Sequence, residues 1–162
     1  MVQAHFVSSF LTVDRVTWSA DWIFGLPLIL LTVLLNVVGL GLTGWRVVQF
    51  AKRVFERHHP SAVFLTVVCV MTLLATSLHA LDAAIWAAAY RLLGTMPDYR
   101  SAMLYSLNAI TSYGHTNLAL EDQWQLMGAM EALNGALLFG LSTAFLFGVI
   151  QKVWFSGGRE HW

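Results

Sequence analysis

Five consecutive residues, Thr111-Ser112-Tyr113-Gly114-His115, stand between long apolar stretches and bring together three hydroxyls, a glycine and an imidazole. Main-chain carbonyls bared beside a glycine between apolar runs need protein or water around them. The Thr111 hydroxyl is a further oxygen, and His115 closes the run with an imidazole that can respond to pH or take a metal. Three ionisable residues, His79, Asp82 and Glu131, lie inside runs that are otherwise apolar. His79 and Asp82 are three apart, so on a helix they share a face with Trp86 and Tyr90.

The elements that must position these residues are apolar helices. Of the 162 residues 57% are apolar and 11% are charged, and the net charge is zero. A soluble domain carries about a quarter charged residues, so this composition points to a membrane protein. Zero net charge argues against a nucleic-acid partner. Cys69 is the one cysteine, which excludes an intrachain disulfide. The opening MVQAHFVSSF lacks the basic and apolar regions of a cleaved signal peptide. No nucleophile–base pair and no phosphate loop is present, so no enzyme activity is expected. His58-His59 read as a solvated loop, and neither a cofactor nor a bound metal is expected.

Three spans emerge. The first runs from about Trp22 to Trp45 without a charge, Asn36 being its most polar member. The second begins after His59-Pro60 and continues through His79, Asp82, Trp86 and Tyr90 to Gly94. The third covers about Leu126 to Ile150, with Glu131 its only charge. Each exceeds the ~20 residues needed to cross ~30 Å of hydrocarbon. Arg46, Lys52, Arg53 and Arg57 cluster between the first two spans, and Lys152 and Arg159 follow the third. Positive-inside counting therefore puts that loop and the C-terminus in the cytoplasm and the N-terminus outside.

Between the second and third spans lies a half-span. Pro97-Asp98 predicts a helix start with Asp98 as N-cap, and Tyr99 to about Thr111 reads as helix. About 13 residues give ~20 Å, too short to cross. Gly114 then breaks the helix. Bare backbone at membrane depth is tolerated only where it is buried in protein or lines water. Two readings follow: a re-entrant helix with its loop on a water-filled path, or an amphipathic helix lying on the outer surface.

Residues 61–154 resemble the two-helix pore module of the potassium-channel superfamily, and specifically a bacterial group of small channels. In that group the outer helix ends in a His, acidic, Trp-Ala, Tyr, Gly series, here His79, Asp82, Trp86-Ala87, Tyr90, Gly94. The pore segment has an aromatic-Ser-Leu run before a Thr-rich approach to a Gly-Tyr-Gly-Asp filter. Here these are Tyr105-Ser106-Leu107 and Thr111-Ser112-Tyr113-Gly114-His115. The inner helix opens with Trp124-Gln125-Leu126-Met127-Gly128 and Glu131-Ala132-Leu133-Asn134-Gly135, and Leu137 to Phe147 matches as well. The resemblance implies an all-α membrane protein of three transmembrane helices plus one re-entrant pore helix and filter loop, assembled with itself as a homotetramer in the plasma (inner) membrane. Its parts would be an N-terminal outer segment, first helix and basic loop (1–60) and the pore module (61–154), followed by a short tail (155–162). Within the module the outer helix spans 61–94, the pore helix and filter 98–118 and the inner helix 125–152.

The implied function is passive conduction of K+ or another monovalent cation past the carbonyls of Thr111, Ser112, Tyr113 and Gly114. The chain departs from the family at Ser112, where a glycine is usual, and at His115, where an aspartate is usual. Serine meets a steric penalty at positive φ that glycine escapes, which predicts a shortened or distorted filter. Ion selectivity stays open for that reason, as does a non-conducting sensor or accessory subunit. His115 is either a ring of imidazoles at the outer mouth or a histidine bonded behind the filter. His79, Asp82 and Glu131 are expected to form a polar brace behind the pore helix, the alternative for Glu131 being the permeation path. Gly135 and Gly140 are expected to be either hinges of the inner helix or points of close packing. A membrane redox protein with histidine-ligated haem is a further alternative, weakened because only His79 lies deep in a span.

Overall fold

The computed structural model describes residues 2–55, 60–114 and 118–157. Four α-helices and one short 3₁₀ turn make up the ordered elements, and no strand occurs among the described residues. They are α1 (Val2–Phe55), α2 (Pro60–Leu92), α3 (Tyr99–Ile110), the 3₁₀ turn Asp122–Trp124, and α4 (Gln125–Gly157). Three stretches are long and apolar enough to cross a membrane: Ser19–Ala51, Ser61–Leu92 and Asp122–Val153. Only 22%, 17% and 28% of their most apolar windows are buried within the chain, so most of the apolar side chains face outward, as lipid contact requires.

Some boundaries differ from the sequence reading for local reasons. The first helix is much longer than Trp22–Trp45. No glycine or proline interrupts residues 2–24 or 45–55, so nothing ends the helix there, and the basic stretch expected as a loop is helical as far as Phe55. The second helix stops at Leu92 rather than Gly94. Gly94 adopts φ +70°, the Gly94 N–H bonds the Arg91 carbonyl at 3.2 Å and the Thr95 N–H bonds the Tyr90 carbonyl at 3.0 Å. That pair of bonds around a left-handed residue is a Schellman cap. The third long helix runs on to Gly157. His58-His59, His115 and the end of the tail lie outside the described residues.

Two compact units make up the chain. The first contains residues 1–32 and 83–136, hence all of α3. Its core gathers Trp86, Tyr90, Ala102, Ile110, Met127 and Met130. The second contains residues 33–82 and 137–162, with a core of Leu40, Val63, Val67, Met71, Val149 and Val153.

The half-length helix α3 is defined at its start by Asp98. The carboxylate accepts the Ser101 N–H at 3.0 Å and the Ser101 hydroxyl at 2.7 Å, and the main-chain carbonyl accepts from the Ala102 N–H at 3.1 Å. These bonds to its charged form hold the Asp98 carboxyl below the usual carboxylate range. The folded chain therefore binds a proton at Asp98 less readily than the unfolded one. The cap's contribution is complete at neutral pH and is lost as the pH falls below about 4. Thermal melting of detergent-solubilised protein should show a midpoint that drops between about pH 4.5 and about pH 2.5, with a shallower drop in D98N. Equal slopes for the two proteins would remove Asp98 from the acid response.

Candidate functional site: the α3 helix, its exit loop and the buried carboxylates

The face of α3 that turns inward carries Ala102, Ser106 and Ile110, spaced by four residues. Small side chains on this face allow a close approach to α4. At Gly135 the approach reaches the backbone, where a Cβ would overlap the carbonyl of Ile110, the last residue of α3. A Cβ at Gly128 would likewise meet the Tyr105 hydroxyl. A Cβ at Gly140 would meet nothing within 4 Å, so packing explains Gly135 and does not explain Gly140.

The exit from α3 repeats the cap that ends α2, with one substitution. The Ser112 N–H bonds the Ala109 carbonyl at 3.0 Å and the Tyr113 N–H bonds the Asn108 carbonyl at 3.0 Å. The left-handed residue between these bonds is Ser112, at φ +53°, where α2 uses Gly94. A Cβ in this region costs about 1–2 kcal/mol. Gly114 is also left-handed at φ +71°, whereas Tyr113 between them is not. Hence Ser112 takes a conformation that glycine reaches without a Cβ penalty. Thr111, Ser112, Tyr113 and Gly114 are all exposed, Tyr113 to 78%. The Thr111 hydroxyl donates back to the Leu107 carbonyl at 2.7 Å, which directs its oxygen lone pairs away from the helix. Beside this segment opens a cleft of about 380 Å³ lined by Tyr105, Asn108, Ser112, Gly114, Gly128 and Ala132.

Beneath α3 lies a buried polar cluster. Glu131, fully buried, meets the Tyr90 hydroxyl at 2.7 Å on Oε2 and the Ser106 hydroxyl on Oε1. Ser106 Oγ also lies 2.8 Å from the Ala83 carbonyl. Helices α2, α3 and α4 thus meet at one serine. The Tyr90 and Tyr105 rings pack edge to face with centroids 5.4 Å apart. From α1, Asp21 presents its carboxylate to the Met127 N–H in the first turn of α4, where a helix N-terminus favours an anion. Asn134 of α4 donates to the Thr32 hydroxyl of α1 at 2.8 Å.

His79 and Asp82 belong to the second unit and Glu131 to the first. His79 Nδ1 lies 3.8 Å from Asp82 Oδ2, and that oxygen accepts from Asn36 at 2.7 Å. The His79 ring stacks on Phe139 with centroids 4.5 Å apart, and its Nε2 lies 3.3 Å from the Ser142 hydroxyl. Among the described residues no three His, Cys, Asp or Glu side chains converge on one point.

Sequence reasoning assigned no role to Asp21, Thr32, Ser106, Asn134 or Ser142. A signal was available for some of them: a lone polar residue in an uncharged span needs a partner inside the protein. That rule does not say which partner.

No family model matches the chain, and no curated protein or solved structure matches it.

Two pairs of variants test this geometry through melting temperature in detergent. G135A should lose about 1–3 kcal/mol, because a backbone carbonyl cannot rotate out of the way, whereas G140A should be neutral or gain up to about 1 kcal/mol. Equal effects of the two would place the close approach elsewhere. S112G should gain about 1 kcal/mol and S112V should lose at least as much, as left-handed strain demands. A destabilising S112G would mean that the serine side chain outweighs its backbone strain.

Proposed function

We propose that the chain is the subunit of a homotetrameric cation channel of the potassium-channel type, with Thr111–Gly114 as a carbonyl-lined filter for K+ or another monovalent cation. The observation that carries this reading is the form of α3 and its exit. A 12-residue helix, about 18 Å long and too short to cross, is seated by its small-residue face on α4 and ends in an exposed segment whose φ alternates in sign at Ser112, Tyr113 and Gly114. Alternating handedness is what turns successive peptide oxygens toward one side of a chain. In water such a segment would be an ordinary loop. At membrane depth its carbonyls need a cation, water or protein around them.

The physical account is short. The C-terminal end of α3 carries a fractional negative charge, which favours a cation near the loop. Copies of the segment around a shared axis would supply rings of oxygen that replace an ion's hydration shell. The outward apolar side chains of α1, α2 and α4 would face lipid. In this arrangement the N-terminus is outside, the C-terminus is cytoplasmic and the loop opens to the outer side. The same architecture without conduction, as a sensor or accessory subunit, is favoured by one feature: Ser112 and His115 replace the glycine and aspartate of the family's filter.

Purified protein in liposomes under opposed K+ and Na+ gradients should give a cation-selective reversal potential. G114V should reduce flux by about tenfold or more, the population change that about 1–2 kcal/mol of left-handed strain produces. A folded tetramer that passes no cation in either gradient would overturn conduction and leave the accessory reading. A protein that stays monomeric on cross-linking would overturn both.

A further inference from the structure

Ser106 has one hydroxyl hydrogen and two neighbours that would accept it. Its Oγ is 2.8 Å from the Ala83 carbonyl and in hydrogen-bond contact with Glu131 Oε1. A peptide carbonyl can only accept. Once Ser106 donates to Ala83, its contact with Glu131 has no hydrogen unless Glu131 supplies one. The second carboxyl oxygen, Oε2, takes the hydrogen of the Tyr90 hydroxyl at 2.7 Å. Three contacts therefore share two hydroxyl hydrogens, and all three are hydrogen bonds only if the carboxyl group carries a third.

The surroundings agree with this count. Glu131 is 0% exposed, and among the described residues no basic side chain pairs with it. The titratable groups around the cluster are Tyr90 from α2, Tyr105 from α3 and Asp21 from α1, none of which brings positive charge. Asp21 is itself buried at 2% exposure and is acidic, so it offers an ionised Glu131 no compensating charge. Burial without a positive partner disfavours the carboxylate there, whereas a hydrogen-bonded carboxylic acid meets no such penalty.

We propose that Glu131 is a proton-binding site, a neutral carboxylic acid at neutral pH whose O–H donates to Ser106 Oγ. The bound proton lets one serine hydroxyl join three helices: it accepts from Glu131 of α4 and donates to Ala83 of α2, while its own backbone is α3. Loss of the proton to water leaves two hydrogens for three acceptors, so one of the links holding α3 opens. The site does not depend on conduction, and its test is independent of any flux measurement.

Infrared spectroscopy of protein carrying ¹³C-carboxyl glutamate, against unlabelled protein, reads the protonation state directly. A carboxylic-acid C=O band at neutral pH should shift with the label and be lost in E131Q, while S106A, which removes the hydrogen-bond acceptor of the acid, should shift that band without removing it. Should E131Q fail to fold, the labelled wild type and S106A carry the assignment alone. Absence of any label-sensitive acid band at neutral pH, or a band unmoved in S106A and retained in folded E131Q, would overturn the proposal.

Discussion

A polar side chain removed from water inside an apolar bundle must find its hydrogen-bond partner within the chain, and Glu131 is where that constraint is most severe. It is fully buried, it contacts side chains of two other helices, and the last turn of α3 rests one helical turn away on Gly135. Unmet polar groups in such surroundings cost several kcal/mol each. The position of α3 is therefore defined less by apolar burial, which a short helix with alanine and serine on its inner face supplies sparingly, than by one serine and one carboxyl group.

The first helix belongs to the same polar scheme. Asp21 meets the first turn of α4 and Thr32 meets Asn134 in one unit, and Asn36 meets Asp82 in the other. In a span this apolar, each of these contacts uses a short polar side chain to choose a neighbour. Between apolar helices in lipid, apolar surface alone gives little preference for one partner or rotation over another. Polar pairs at three positions along α1 provide that preference. Gly39 and Gly25 then let α2 and α4 side chains approach, Leu78 in the one case and Met130 in the other.

Two helices of this chain end in the same hydrogen-bonded cap, and they differ in the residue that takes the left-handed position. At Gly94 the left-handed residue is a glycine, which meets no Cβ penalty; at Ser112 it is not. Strain of this kind persists only where surrounding structure imposes it. Here the imposing structure is the buried face of α3, which directs the chain into the loop regardless of the preference of residue 112.

What the sequence determined by itself is whatever depends on near neighbours. Uncharged runs long enough to cross a bilayer, the Asp98 start of α3 and its insufficient length all follow from side-chain type and a period of 3.6 residues. The extension of α1 to Phe55 was also implicit, since no glycine or proline stands in its way after Gly44. Tertiary structure alone decided that Glu131 meets Tyr90 and Ser106, 41 and 25 residues distant, that Asn134 reaches Thr32 across 102 residues, and that His79 meets Ser142 across 63. It also decided that Gly135 is occupied by a backbone carbonyl while Gly140 faces open space. The physical reason is that helix faces are legible from periodicity, but the rotation and depth at which two faces meet depend on every other contact in the bundle, and hydrogen-bond partners are chosen only once those are set.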